Sequence, residues 1–468
     1  MIGQRIAVGI ACAIVVTGCA SAHYVSVPES TVAGPCVTAI PERDLLVGVA
    51  LSGGGSRAAL FAEAGLEALA QIRMADGNSL LTRIDNLSSV SGGSLSGIYY
   101  ALKKPGRSVP VLNPDGSLSP AYRAFFDQYR ADLAQDFETS LIWRQLLSFR
   151  WLNSALAAKT LVEILAEKLY GDARLQDLSA RAKAGDTPDI IVNTTLYNNG
   201  RRLALTTLPA EAFEYDFFTD LERSLRQRGK PIEEMPYVRE RWKHLRPMTP
   251  IELHIDPCPA RLAGAATASA SFAPLIGPTT FKIGDKEAYW HVGDGGLYEN
   301  SGIESLLFLY LQQLQAKRAK RAIIIALESS YPFSADEARL LKRSLPFSLL
   351  NFDFTRIPGI MEERALTYQA LFFRSLQLEG VFPDSKTVTV IALRHTDAKW
   401  AADLSDVPAS CQAESAPLKT AQDVDDRISA IPTRLGLASA CDRDLIYTAA
   451  YKLVAQYKDA ILQFLNQP

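Results

Sequence analysis

The chain has 468 residues, 48% of them hydrophobic and 21% charged, with ordinary Gly and Pro content. That composition excludes a disordered chain, a collagen and a disulfide-scaffold miniprotein. Its 49 basic and 51 acidic side chains leave a formal charge of −2, so no global field draws it to nucleic acid, and none is expected as a partner.

The first residues, MIGQRIAVGIACAIVVTGC, combine Arg5, a short apolar stretch from Ile6 to Val16, and small residues before Cys19. The apolar stretch is too short for a stable span and predicts a secretory signal. Thr17-Gly18-Cys19 resembles a bacterial lipobox. The resemblance implies cleavage after residue 18, a diacylglyceryl thioether on Cys19 and attachment to the membrane through it. Ala20-Ser21 after the cysteine implies the outer membrane, facing the periplasm or the surface. The alternative is an ordinary cleaved signal with a chance cysteine. Residues 19–43 are irregular and are expected to be a tether. Cys36, Cys258, Cys411 and Cys441 permit two disulfides in an oxidising compartment. Cys411–Cys441 with Cys36–Cys258 is the expected pairing, four buried thiols the alternative. No cysteine or histidine spacing suggests a metal site.

From residue 44 the pattern changes. Leu45–Leu51 is a continuous apolar run, as in a strand buried on both faces, and Ser52-Gly53-Gly54-Gly55-Ser56-Arg57 breaks it before a helical segment, Ala58–Ile72. A second strand–glycine–helix unit begins at Ile84 and turns at Ser91-Gly92-Gly93-Ser94. Two such units predict an α/β fold with a largely parallel sheet. Residues 104–183, turn-rich and then helical, are expected to be an insertion. Within it, Leu141–Leu152 carries two Trp and two Arg, a composition that suits an interfacial helix, although packing on the sheet is the default. Asn198-Asn199-Gly200 predicts a hairpin between Ile190–Tyr197 and Arg202–Thr206. The Arg- and Lys-rich stretch 223–246 is expected to be a solvated face. Ala322–Leu327 and Thr387–Leu393 are further buried strands. Ile303–Leu314, Met361–Leu378 and Leu445–Leu465 have helical periodicity.

Three segments carry chemistry. Gly92-Gly93-Ser94-Leu95-Ser96-Gly97 follows a strand and opens a helix, so a serine there projects toward a helix N-terminus. Gly53-Gly54-Gly55 leaves uncrowded N–H groups that can hold an oxyanion, and it lacks the Gly-Lys-Ser/Thr end of a nucleotide-binding loop. Asp294-Gly295-Gly296 places a carboxylate where something must approach closely, or simply makes a turn.

In that order the three segments resemble the patatin-like phospholipase family. Ala268-Ser269-Ala270-Ser271-Phe272-Ala273-Pro274 and Ile431-Pro432-Thr433-Arg434 are also similar to segments of that family. The resemblance implies a three-layer α/β/α fold with a largely parallel central sheet, over residues 44–468, with a helical insertion at about 104–183. It further implies a Ser–Asp dyad, Ser94 as nucleophile and Asp294 as its partner, and an oxyanion loop of Gly53, Gly54, Gly55 and Arg57. Ser52, Ser96 and Gly302 depart from the family pattern without removing a reacting group. The activity so implied is a lipid acyl hydrolase of phospholipase A or lysophospholipase type, acting on membrane phospholipid or lysophospholipid through an acyl-enzyme, with no cofactor and no metal. An acyltransferase using the same acyl-serine is one alternative, a non-catalytic lipid- or partner-binding envelope lipoprotein another. A Ser–His–Asp triad is disfavoured, since of the five histidines only His395 lies late enough in the chain.

Overall fold

A computed structural model describes residues 24–467 except 31–33, 35, 41, 151–152, 154–155, 233–234, 273–275, 286, 331–355 and 415–417. Cys19 and Trp151 therefore lie outside the described residues. So do Ala273 and Pro274.

A nine-stranded sheet forms the middle layer, in the order β1-β6-β7-β4-β3-β2-β8-β9, with β5 pairing only with β4. The strands are β1 (Val25–Val27), β2 (Leu45–Leu51), β3 (Asn86–Val90), β4 (Asp189–Leu196), β5 (Arg201–Thr206), β6 (Thr279–Ile283), β7 (Tyr289–Asp294), β8 (Arg321–Glu328) and β9 (Val388–Arg394). The four central pairings β4–β3–β2–β8–β9 are all parallel. Antiparallel pairings enter through β5 and β7 on β4, and between β6 and β7. Burial explains the centre. Every residue of β2 is buried, because Leu45, Val47, Val49 and Leu51 pack on one face while Leu46 and Ala50 pack on the other.

The helices lie on the two faces. In chain order they are α1 (Gly55–Ala70), α2 (Gly92–Lys103), α3 (Pro120–Leu133), α4 (Phe137–Leu147), α5 (Leu156–Leu165), α6 (Leu175–Lys183), α7 (Phe217–Gln227), α8 (Pro236–Leu245), α9 (Leu262–Ser269), α10 (Ile303–Gln315), α11 (Arg356–Leu378), α12 (Ala421–Ala430) and α13 (Ala440–Leu465). Helices α1, α2 and α13 share one core with the odd positions of β2, and α10 shares the other with its even positions. The result is the expected three-layer α/β/α fold. Helices α3 to α6 occupy the stretch between α2 and β4.

Two elements differ from expectation. Residues 19–43 were expected to be a tether, yet Val25–Val27 pairs with β6, Thr38 N–H donates to the Thr207 carbonyl and Cys36 is bonded to Cys258. The alternating Val25-Ser26-Val27 suits an edge strand, but its partner lies some 250 residues away, a relation no local pattern shows. Helix α4 was expected by default to pack on the sheet. Only its Phe137 and Leu141 are buried, while Ile142, Trp143, Leu146 and Leu147 face outward. Cys411 is bonded to Cys441. Of the stretch expected to be a solvated face, helix α8 fully buries no residue, but its Trp242 stacks on Phe217 at 4.5 Å between ring centroids and packs against the second core. Among the described residues no helix is long and apolar enough to cross a membrane.

Candidate functional site

The carboxyl ends of β2, β3 and β7 converge because of register. Val90 at the end of β3 pairs with Asn193 of β4, and the next β4 residue, Thr194, pairs with Asp294 at the end of β7. The chain leaving β3 and the carboxylate closing β7 therefore meet one strand apart.

The residue leaving β3 is Ser91. It alone occupies the turn before α2, with φ 49° and ψ −119°, a conformation that L-residues with a side chain rarely adopt. That strained turn is held by its surroundings. Ser91 N–H donates to Ser269 Oγ at 2.9 Å, and Ser269 in turn donates to the Asn193 carbonyl. The Ser91 hydroxyl donates to Asp294 Oδ2 at 2.8 Å. The opposite oxygen, Oδ1, accepts the Gly296 N–H at 2.8 Å, which is why glycines follow the aspartate in a tight turn. Thr195 Oγ1 donates to the Asp294 carbonyl at 2.8 Å and fixes the backbone.

Ser94, expected to face Asp294, does not. It lies inside α2, fully buried, with its hydroxyl donating to Ser89 Oγ at 3.1 Å and sharing a hydrogen bond with Ser269 Oγ at 2.9 Å. The expectation placed the turn three residues too late. Strand β3 ends at Val90, so the serine on the turn is Ser91, and Ser94 is almost one helical turn further on, directed back into the core. The two glycines following Ser91 carry the usable signal. A side chain on Gly92 would meet the Gly55 carbonyl oxygen at 2.0 Å, and one on Gly93 the Leu51 and Ser52 oxygens at 2.5 Å. Only glycine lets α2 start that close to the preceding loop.

Burial sets the electrostatics. Asp294 is 3% exposed, and loss of hydration pushes its carboxyl up to about 6, against the pull of the Gly296 and Ser91 hydrogen bonds. Above that pH it is a carboxylate with enough basicity to take a proton.

The glycine loop lies beside this pair. Gly53 N–H is already engaged, donating to the Asn300 carbonyl at 2.9 Å. Gly54 and Gly55 precede and open α1, where a helix offers its first N–H groups no acceptor of its own. Gly55 has φ 62° and lies under the Arg434 carbonyl, so both conformation and space require glycine. Arg57, expected in the oxyanion loop, is instead a buried strut. Its guanidinium donates to the carbonyls of Ser329, Ser330 and Ile431 and to Thr433 Oγ1. It ties the loop after β8 and the 431–433 segment to the start of α1, and it offers the site no N–H that its 1% exposure would allow a ligand to reach.

Asn300 and Glu362 join the site without having been foreseen as a pair. Asn300 holds the glycine loop through its carbonyl and donates its side-chain Nδ2 to Glu362 Oε1 at 2.9 Å. Burial raises the Glu362 carboxyl to about 7, opposed by its hydrogen bonds to Asn300 and Ser330. Sixty-two residues separate the partners, and nothing local to either marks the contact. No histidine hydrogen-bonds Asp294 or Ser91 among the described residues. His395 is fully buried against Phe61, and the His291 ring meets Thr280 on the outer part of β7.

Fold and geometry together define a three-layer α/β/α protein with a hydroxyl–carboxylate pair on a strand–helix turn beside a glycine loop. Residues 49–307 match the patatin-like phospholipase family, more than half of the 468 residues, and the chain belongs to that family. No curated protein matches it. Among solved structures, human GIVD cytosolic phospholipase A2 is similar at 13% identity and a TM-score of 0.46, over 90% of this chain and 60% of that one. The same human protein in complex with methyl gamma-linolenyl fluorophosphonate gives 14% identity and a TM-score of 0.43, over 90% and 58%. VipD from Legionella pneumophila gives 12% and 0.31, over 90% and 67%. The chain thus spans about 60% of the length of the human structures it matches.

Proposed function

We propose that this protein is a lipid acyl hydrolase of phospholipase A or lysophospholipase type, with Ser91 as nucleophile and Asp294 as base. The observation that carries this reading is the 2.8 Å hydrogen bond from a serine on a strained strand–helix turn to a buried carboxylate. Asp294 accepts the Ser91 proton as Oγ attacks the ester carbonyl carbon, giving a tetrahedral oxyanion. The N–H groups of Gly54 and Gly55, at the positive end of α1, face that charge, where one donor is worth about 3–4 kcal/mol of transition-state stabilisation. The proton passes from Asp294 to the leaving alcohol oxygen as the ester bond breaks. Water then gives a proton to Asp294 and attacks the acyl carbon, and as the bond to Ser91 Oγ breaks Asp294 returns that proton to Oγ and fatty acid is released. Gly296 N–H and the β4 register hold Asp294 still throughout.

Membrane lipid is the substrate in this reading, with the family membership as its support. The outward apolar face of α4 is what a cap facing acyl chains would present. Anchoring through a lipidated Cys19 at the outer membrane, after removal of residues 1–18, remains part of the proposal, and it would keep the site beside bilayer lipid.

A fluorophosphonate probe with mass-spectrometric mapping tests the chemistry before any lipid is chosen. Label is expected on Ser91, lost in Ser91→Ala, retained in Ser94→Ala and much reduced in Asp294→Asn. Label on Ser94, or none in the presence of detergent or vesicles, would overturn the assignment.

A further inference from the structure

A cavity of about 580 Å³ lies at the other end of the sheet, where β2, β3 and β4 begin. Strand β3 runs five residues from there to Ser91, about 16 Å. The cavity is therefore separate from the hydroxyl–carboxylate pair.

Its floor holds polar groups with nothing to bond. Gln313 is 1% exposed, and neither its amide oxygen nor its amide nitrogen has a hydrogen-bond partner. Thr187 Oγ1, on a residue 8% exposed, and Asp189 Oδ1 are likewise buried and unpartnered. A buried polar group left in that state costs about 1–3 kcal/mol, so a cluster of them facing one cavity is built to be satisfied by something that enters it. Burial raises Asp189 to about 6, opposed by a hydrogen bond from Thr38 and the charge of Lys183 and aided by the charge of Asp85.

The rim has the opposite character. Arg43, Arg107 and Lys183 are exposed around the mouth, and Arg83 and Lys104 line the wall. Part of this charge is used internally: Lys183 acts on Asp189, and the Arg83 guanidinium donates to the Leu45 carbonyl. Arg43 Nε meets Asp85 Oδ1 at 2.9 Å, and Lys104 Nζ donates to the carbonyls of Pro105 and Asp186. Five cations still outnumber the carboxylates of Asp85, Asp186 and Asp189. A simple anion would satisfy the rim but meet Asp189 at the floor. A simple cation would have to pass the rim. An apolar guest would leave every floor group unpaired.

We infer that this cavity is a second binding site, which takes a small soluble zwitterion with its ammonium group against Asp189 and Gln313 and its anionic group at the Arg107–Lys183 rim. An ammonium donates to Asp189 Oδ1 and Gln313 Oε1, and a phosphate or carboxylate accepts from the guanidinium and ammonium groups outside. The site does not depend on the hydrolase assignment.

Calorimetric titration of the full chain with phosphoethanolamine tests it. Saturable binding is expected, with a Kd of about 1 mM or below, tighter than for ethanolamine or inorganic phosphate alone and retained in Ser91→Ala. Asp189→Asn and the exposed pair Arg107→Ala/Lys183→Ala should each weaken it about tenfold or more. If Asp189→Asn does not fold, the rim pair still decides. Lack of binding would mean that the cavity holds only water. Phosphate alone binding as tightly, indifference to the rim pair, loss in Ser91→Ala, or binding only to vesicles bearing ethanolamine headgroups would each overturn the inference.

Discussion

The two sites at opposite ends of the sheet differ in how their buried polar side chains are bonded. At the carboxyl end the groups around the serine and the carboxylate are bonded to one another: Ser91 bonds Asp294, Asp294 bonds Gly296, Gly53 bonds Asn300 and Asn300 bonds Glu362. At the amino end Gln313, Thr187 and Asp189 keep unpartnered atoms facing a cavity. A completed network fixes positions to fractions of an ångström, which bond-making chemistry requires. An incomplete one leaves its hydrogen bonds for a guest. Substitutions at the carboxyl end should therefore act on rate, and those at the amino end on ligand affinity with hydrolysis unchanged.

Ser91→Ala is the largest expected effect, a loss of about ten-thousand-fold or more in kcat on a carboxylic ester, with folding intact by circular dichroism. Equal loss in Ser94→Ala would break the distinction between the two serines. Asp294→Asn comes next, about a thousandfold or more in kcat. In the wild type, kcat/KM should fall on the acid side through about pH 6 as Asp294 gains its proton. The same substitution has a second signature. Burial raises the folded pKa, so ionising Asp294 costs stability as pH climbs from the unfolded value of about 3.9 through about 6, and the full cost applies above that. Asn accepts from Gly296 equally well and removes the charge. The inactive variant should be more stable by about 2–3 kcal/mol in denaturant titrations at pH 8, and no more stable at pH 4. Asn300→Ala keeps the carbonyl that Gly53 bonds but removes the amide that Glu362 accepts from, and should lower kcat by about tenfold or less through a shifted Asn300 backbone, with little change in KM. Smallest is Ser94→Ala, a destabilisation of about 1 kcal/mol from lost buried hydrogen bonds. Its kcat should stay near wild type in the same ester assay.

The architecture was legible where one physical rule dominated. Leu45–Leu51 and Ala322–Leu327 are buried on both faces, and a strand in that position can only be continuously apolar. The Asn198-Asn199-Gly200 hairpin followed from turn chemistry alone. Asp294 was singled out by the family resemblance, since the paired glycines after it read equally well as a turn, and the structure places its carboxylate beside Ser91. The turn was placed three residues too late because Ser88, Ser89, Ser91, Ser94 and Ser96 crowd the end of β3, and composition does not say where a strand stops. Backbone strain at Ser91 and the carbonyls facing Gly92 and Gly93 decide it, and these are relations across space. Arg57 shows the converse. Its place next to the glycine loop suggested contact with a ligand, while its fully buried guanidinium is saturated by carbonyls from segments over 270 residues away.

The Cys36–Cys258 bond encloses a span of 222 residues, and Ser91 lies within that covalent ring while Asp294 lies beyond it. As the chain is made, 222 residues, just under half of the sequence, follow Cys36 before its partner exists. Ser91 and the glycine loop lie inside that ring; the Asp294 carboxylate comes from outside it, on a strand inserted between β4 and β6. In the proposed dyad the hydroxyl and its base therefore come from opposite sides of one covalent closure, and the pair is complete only once β7 has taken its place in the sheet.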